Sequence, residues 1–279
     1  MRYQRPKMLT VLVATSALVL GACGGDDGDS ASGDSDGGGD GEVLKVGTKY
    51  DQPLFGVNTP DGVEGFDADI ARYIGDELGR EVEFQEAVSA NRETFLENGT
   101  VDMVVATYTI NDERDEVIDF AGPYYVAGQD IMVMKGNPKK IKGIEDLDSA
   151  DIKTCTVEGS TSLENLNEMA PDANVSTFDT YSKCADAMGQ GRVDAVTTDN
   201  VILLGLVDES DGDYELLENP FTEEPYGIGV QDGSELRCEV NEILQGMYDD
   251  GTWKQIYEDT VGTVATDTPE PPEIDNEGC

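Results

Sequence analysis

The 279-residue sequence contains no histidine, a single tryptophan, and only 18 lysines and arginines against 59 acidic residues. The absence of histidine removes Ser-His-Asp and Cys-His nucleophile systems, HExxH zinc sites and the commonest general base. An enzyme built from this chain would have to work through carboxylates, lysine or tyrosine. The absence of histidine therefore weighs against an enzyme, and no cofactor is expected. The formal net charge of −41 argues against nucleic acid as a partner, because phosphate recognition depends on Lys and Arg. It suits a strongly solvated surface, as a saline habitat would favour. The acid-rich turns at 112–116 and 208–213 lack the DxDxDG spacing with a glutamate at the twelfth position, so no metal is expected. Trp253 falls in an apolar helical pattern and reads as a packing residue.

Only one long apolar run occurs, at the start, in MRYQRPKMLTVLVATSALVLGAC. Arg2, Arg5 and Lys7 form a positive n-region, and the apolar stretch of about fifteen residues is shorter than a spanning helix of about twenty. Leu20-Gly21-Ala22 then precedes Cys23. This is similar to a bacterial lipoprotein signal, with residues 1–22 removed and Cys23 lipid-modified on the outer face of the cell membrane. An ordinary secretory signal with an incidental cysteine is the alternative. Residues 23–42, rich in Gly, Ser and Asp, hold nothing apolar enough to offset chain-ordering entropy and read as an acidic tether. Four cysteines remain, an even number in an exported chain, and they allow three pairings. Cys155 and Cys184 lie in one segment, which gives Cys155–Cys184 and Cys238–Cys279. The second bridge would pin the tail TPEPPEIDNEGC. Free buried thiols are the alternative.

From residue 42 strand and helix patterns alternate. Residues 44–48, 81–84, 101–109, 152–157, 175–178 and 193–199 read as strands. GFDADIARYIGDELG (65–79) reads as a helix from the spacing of Phe66, Ile70, Tyr73, Ile74 and Leu78, with Asp67 able to cap its start and Gly79 ending it. Further helices are expected at 91–98, 144–148, 158–170, 181–189 and 200–207. The alternation implies an α/β fold with mainly parallel sheets. FLENGTVDMVVATYT (95–109) and AMGQGRVDAVTTDN (187–200) echo one another: helix end, Gly, one residue, Val-Asp, apolar strand, polar cluster. They suggest two lobes built alike.

GFDADIARYIGDELG, VDMVVATYTINDER, DEVIDFAGPYY, VEGSTS, GRVDAVTTDN, EEPYGIGV and DDGTWKQIYED follow one another in the order and spacing of a known family. Across most of 43–260 the chain resembles the extracytoplasmic solute-binding proteins of the polar amino-acid family, which feed ABC importers. TKYDQP, Cys155 and DTYSKC further resemble the glutamate-binding lipoproteins of actinobacteria. The resemblance implies two α/β lobes, the periplasmic-binding-protein fold, with the ligand cleft between them. Lobe 1 would comprise 43–124 plus 227–279 and lobe 2 129–222. Two crossing strands near 125–128 and 223–226 would form the hinge. It also implies a monomer that hands a small amino acid to ABC permease subunits.

Residue by residue, the resemblance implies a site. Arg114 would clamp the ligand α-carboxylate with its planar fork. Thr109 would add a hydroxyl and a backbone donor, and Thr107 a carbonyl for the ammonium. Thr161, at the helix start in GSTS, would offer an amide where the helix dipole favours an anion. Asp199 would bind the ammonium. Lys49, followed by Tyr50 in the loop after the first strand, would meet the ligand side chain together with Arg92 and Ser89. Such a pair of cations suits a side-chain carboxylate and points to L-glutamate, with aspartate, glutamine and cystine, or a ligand-sensing role, as alternatives. Simpler roles exist for each residue: Arg114 could pair with local acids, Asp199 could cap the helix at 200, and Lys49 could lie on the surface. Gln52 and Ser89 stand where the family often has aromatic residues, for which Phe55 or Tyr50 could compensate.

Overall fold

The computed structural model describes residues 43–279. The expected signal peptide, the lipid-attachment Cys23 and the acidic tether lie outside the described residues. The chain begins with β1 (Leu44–Thr48), a small antiparallel meander β2 (Asp51–Gln52), β3 (Gly56–Thr59) and β4 (Gly62–Glu64), then α1 (Phe66–Glu77) and β5 (Val82–Glu86). It continues through α2 (Arg92–Glu97), β6 (Met103–Val104), α3 (Asp112–Asp115) and the long β7 (Ile118–Ala127). A second set follows: β8 (Gln129–Met134), α4 (Ile144–Leu147), β9 (Lys153–Val157), α5 (Thr161–Met169), β10 (Asn174–Phe178), α6 (Tyr181–Gly189), β11 (Ala195–Asp199), α7 (Asn200–Glu209) and β12 (Tyr214–Leu216). β13 (Glu224–Gln231), α8 (Leu236–Asp250) and α9 (Thr252–Asp259) complete it.

Two five-stranded sheets result, ordered β5-β1-β6-β13-β7 and β10-β9-β11-β8-β12. In each, the first three strands are parallel and the last two join antiparallel. This corrects the expectation of mainly parallel sheets. The antiparallel strands arise because β7 and β13 run side by side between the sheets, pairing Tyr125 with Tyr226 and Ala127 with Glu224. β7 passes through Gly128 straight into β8 of the second sheet. A Cβ on Gly128 would lie 2.7 Å from the Thr222 carbonyl oxygen, so the two crossing segments touch there with no room for a side chain.

The Val-Asp echo has one structural meaning in both sheets. Asp102 N–H donates to the Lys45 carbonyl and Lys45 N–H donates to the Asp102 carboxylate at 2.8 Å. Asp194 and Lys153 repeat both bonds, the second at 2.9 Å. Each aspartate thus fixes the register of a central strand against its parallel neighbour.

Two local readings change. The run 101–109 is buried throughout apart from half-buried Asp102, but only Met103–Val104 forms a ladder, because Thr107 turns the chain at φ 44°. Asp67 does not cap α1; Gly65 stands at that position without a side-chain bond. Asp67 is buried and accepts from Thr107 N–H (2.8 Å) and the Tyr124 hydroxyl (2.6 Å).

The first sheet packs α1, α8 and α9 around an aromatic core. Trp253 stacks on Tyr257 with ring centroids 5.6 Å apart and meets Phe66 edge-on, and its indole N–H donates to the Tyr124 carbonyl at 2.9 Å. Cys155–Cys184 ties β9 to α6, and Cys238–Cys279 ties α8 to the tail, where Asn241 also holds the Asp275 carbonyl. No helix among the described residues is long and apolar enough to cross a membrane.

Trp253 touches the core and no part of the cavity described below. Trp253→Ala should therefore lower the unfolding free energy by about 3–5 kcal/mol while leaving the order of ligand preference unchanged. Urea unfolding and calorimetric titration of the variant check both halves.

Candidate functional site

Between the two sheets lies a narrow polar cavity. Gln52, Ser89, Arg92, Thr107 and Thr109 line it from one side, and Thr161, Tyr181 and Asp199 from the other. Each group sits where a strand gives way to a loop or helix: Gln52 ending β2, Ser89 and Arg92 at the entry to α2, Thr161 opening α5, Asp199 ending β11. The sides meet directly. Thr161 and Thr109 hydroxyls approach to 3.4 Å, and Arg92 and Arg114 each direct an Nη2 at the Gly159 carbonyl, at 3.5 and 3.3 Å.

The positive groups are concentrated on the first side. Lys49 is 3% exposed and donates to Ser89 Oγ at 2.8 Å, so it reaches the cavity through Ser89 rather than lining it. Burial, and then the neighbouring Arg92 charge, push its pKa down to about 7. Arg92 donates to the Ser89 and Ala106 carbonyls and lies 4.1 Å above the Tyr108 ring; burial and Arg114 lower it to about 10. Arg114 shares that ring at 5.0 Å. Its Nη1 donates to the Thr109 carbonyl at 2.7 Å and its Nε meets Glu93 at 3.2 Å. Arg114 therefore engages one acid, on α2, and borders the cavity on the side of a second cleft that also holds Glu93, Glu113, Glu158 and Glu164.

The second side supplies the opposite chemistry. Asp199 precedes α7 yet makes no capping bond. Its Oδ2 accepts from the Tyr226 hydroxyl at 2.6 Å, and its Oδ1 is buried without a partner. Burial and then Glu224 raise its pKa to about 7. Ser160 caps α5 by accepting from Leu163 N–H at 3.1 Å, leaving the N–H groups of the first turn without intrahelical partners beside Thr161. On the first side, Gln52 accepts from Thr107 Oγ1 at 2.9 Å, and its amide Nε2 is a second buried atom without a partner. An unpaired donor and an unpaired acceptor thus line one cavity, where buried polar atoms are normally satisfied.

All eight expected residues converge on this region, six lining the cavity and Lys49 and Arg114 flanking it. The aromatic compensation is corrected. Phe55 is fully buried among Phe66, Tyr125 and Tyr226, and the Tyr50 hydroxyl is spent on the Phe84 carbonyl. The aromatic residues at the site are Tyr108, beneath the two arginines, and Tyr181 in the cavity wall. Sequence reasoning missed both. The apolar run around Tyr108 reads as core, and the place of Tyr181 at the start of an amphipathic helix was the available signal.

Residues 44–263 match the profile of the bacterial extracellular solute-binding proteins, family 3. This chain belongs to that family. It is 40% identical over 254 residues to the glutamate-binding protein GluB of Corynebacterium glutamicum, covering 84% of this chain and 85% of that protein. It is 44% identical over 224 residues to the ABC transporter glutamine-binding protein GlnH of Bacillus subtilis, covering 78% and 81%. Among solved structures, an ancestral arginine-binding protein bound to glutamine matches with a TM-score of 0.74 at 38% identity, over 79% of this chain and 98% of that one. The two-lobed fold and the solute-binding family read from the motifs both stand.

The buried groups give the ligand-free protein a particular pH response. Folded Asp199 holds its proton from its usual 3.8 up to about 7, so its contribution to stability falls as pH rises through that window. Folded Lys49 loses its proton at about 7 rather than 10.5, so its contribution rises with pH above 7. Urea unfolding at pH 5, 7 and 9 should show wild type gaining most over Asp199→Asn at pH 5, and over Lys49→Met at pH 9. Differences that do not vary with pH would contradict the assignment.

Proposed function

We propose that the protein captures an acidic amino acid, L-glutamate, by closure of its two lobes and delivers it to an ABC-type permease. The observation that carries this reading is the charge of the site. Three buried cations, Lys49, Arg92 and Arg114, lie on the first side with one salt-bridged acid, Glu93, and buried Asp67 near Lys49, and across the cleft Asp199 keeps an unpaired oxygen. A ligand with two carboxylates and one ammonium matches that set. Arg114 holds the α-carboxylate, aided by Thr109 and the amide of Thr161, with the ligand replacing the Gly159 carbonyl as acceptor. Asp199 Oδ1 and the Thr107 carbonyl take the ammonium. Lys49, Arg92 and Ser89 read the side-chain carboxylate. The names of the GluB and GlnH relatives support an amino acid of this size and leave the choice between acid and amide to Lys49.

In this reading residues 43–124 plus 227–279 move as one lobe and 129–222 as the other. The ligand shifts the open–closed balance because only the closed form makes both sets of contacts. The chain works as a monomer on the outer face of the membrane, anchored through a lipidated Cys23, with the acidic tether giving it reach.

Calorimetric titration of the unfolded and refolded soluble domain with glutamate, aspartate, glutamine and cystine tests the reading. Arg114→Ala should abolish detectable binding, since removing one member of a desolvated charge pair costs about 3–5 kcal/mol; retained micromolar affinity would refute the clamp. Lys49→Asp should weaken glutamate and favour glutamine relative to it. An unchanged preference would remove Lys49 from the site.

A further inference from the structure

α6 begins without a cap of its own. Its N-cap residue, Thr180, has the extended backbone of a capping residue, yet its side chain makes no capping bond; it accepts instead from the Ser182 hydroxyl at 3.2 Å. The first turn of α6 contains no acidic residue. Its leading N–H groups are satisfied from the other side of the cleft. Tyr181 N–H and Ser182 N–H both donate to Asp51 Oδ2, at 2.9 and 3.3 Å, across about 130 residues of sequence. Asp51 lies on β2 of the small meander, two residues after Lys49 and next to Gln52. The seam beside it is tight: a Cβ on Gly205 of α7 would stand 2.4 Å from the Pro53 carbonyl oxygen.

We propose that Asp51 is an inter-lobe latch, a positioning residue that caps α6 only when the cleft is shut. The inference rests on the reading of ligand capture by lobe closure. A carboxylate at a helix N-terminus satisfies orphan N–H groups and meets the positive end of the helix dipole. Here that stabilisation exists in one of two conformations, so it biases their balance rather than the fold. α6 also carries Tyr181 into the cavity wall and is pinned to β9 by Cys155–Cys184. The latch therefore closes on a braced element and seals the cavity at Tyr181 without touching the ligand. Because Asp51 also stabilises the charged form of Lys49 at a distance, its test must separate the two effects.

Titration and stopped-flow of Asp51→Ala and Asp51→Asn with L-glutamate and L-glutamine make that separation, since only glutamate depends on the charge of Lys49. Loss of a cap of ordinary strength predicts roughly fivefold weaker binding of both ligands in Asp51→Ala, through faster dissociation at unchanged association, and a smaller loss in Asp51→Asn. Unchanged affinity, or a loss confined to glutamate, would overturn the latch. Amide exchange gives a readout independent of the ligand's identity. With saturating ligand, Tyr181 and Ser182 N–H should exchange more slowly in wild type than in either variant, and the difference should shrink without ligand; equal rates with ligand, or a difference that ligand does not change, would overturn it. If wild type binds neither amino acid, the functional reading fails and takes the latch with it, whereas binding of unchanged affinity across the variants fails the latch alone.

Discussion

Lys49, Arg92 and Arg114 are buried close enough to perturb one another, and the protein pairs them with a single salt bridge among the described residues, Arg114 to Glu93. Isolated buried charge is expensive, so the surroundings are arranged to tolerate it. Tyr108 offers one ring face to both arginines, and carbonyls of Ser89, Ala106, Thr109 and Gly159 accept from their forks. Neutral acceptors soften the cost without cancelling the charge. The Gly159 carbonyl, approached by both guanidinium groups from across the cleft, occupies the position where a carboxylate would be a better partner. Arg92 in the cavity wall and Lys49 behind Ser89 thus have neutral partners in place of a salt bridge, in a protein whose net charge is −41.

The fold supplies this arrangement by using one construction twice. In each sheet a Val-Asp step locks the central strand to its parallel neighbour, and the chain then delivers polar residues at the strand's end. In the first sheet the strand breaks early at Thr107, held by buried Asp67, which turns Thr107 and Thr109 toward the cavity. In the second it continues to Asp199, which keeps one oxygen free. The crossing strands β7 and β13 join the two, and Tyr226 on β13 holds the other oxygen of Asp199. The element that joins the sheets is thus also part of the site's electrostatics.

Much of this was legible in the sequence because periodicity and motif spacing report local structure. β1, α6 and β11, and the helix end at Gly79, follow from patterns that depend on near neighbours. What escaped depends on tertiary contact. Asp67 looks like a cap because caps are acidic and lead helices; only the fold shows it buried against Thr107 and Tyr124. Phe55 looks available to a ligand until the core closes over it. Arg114 and Asp199 had simpler local roles open to them, and the structure separates the two cases: Arg114 does meet an acid, Glu93, while Asp199 makes no cap. Tyr181 and the Asp51 contact join residues about 130 apart, a distance at which one-dimensional patterns carry no signal.

Proton exchange on ligand binding tests the central claim most directly, measured by calorimetry in buffers of different ionisation enthalpy. A side-chain carboxylate meeting Lys49 should raise its pKa from about 7, and an ammonium meeting Asp199 should lower its pKa from about 7. L-glutamate should therefore bind with proton uptake at pH 8 and proton release at pH 6, whereas L-glutamine should keep the release at pH 6 and lose the uptake at pH 8. Glutamate binding without proton exchange at either pH, or with uptake equal for the two ligands, would contradict the account.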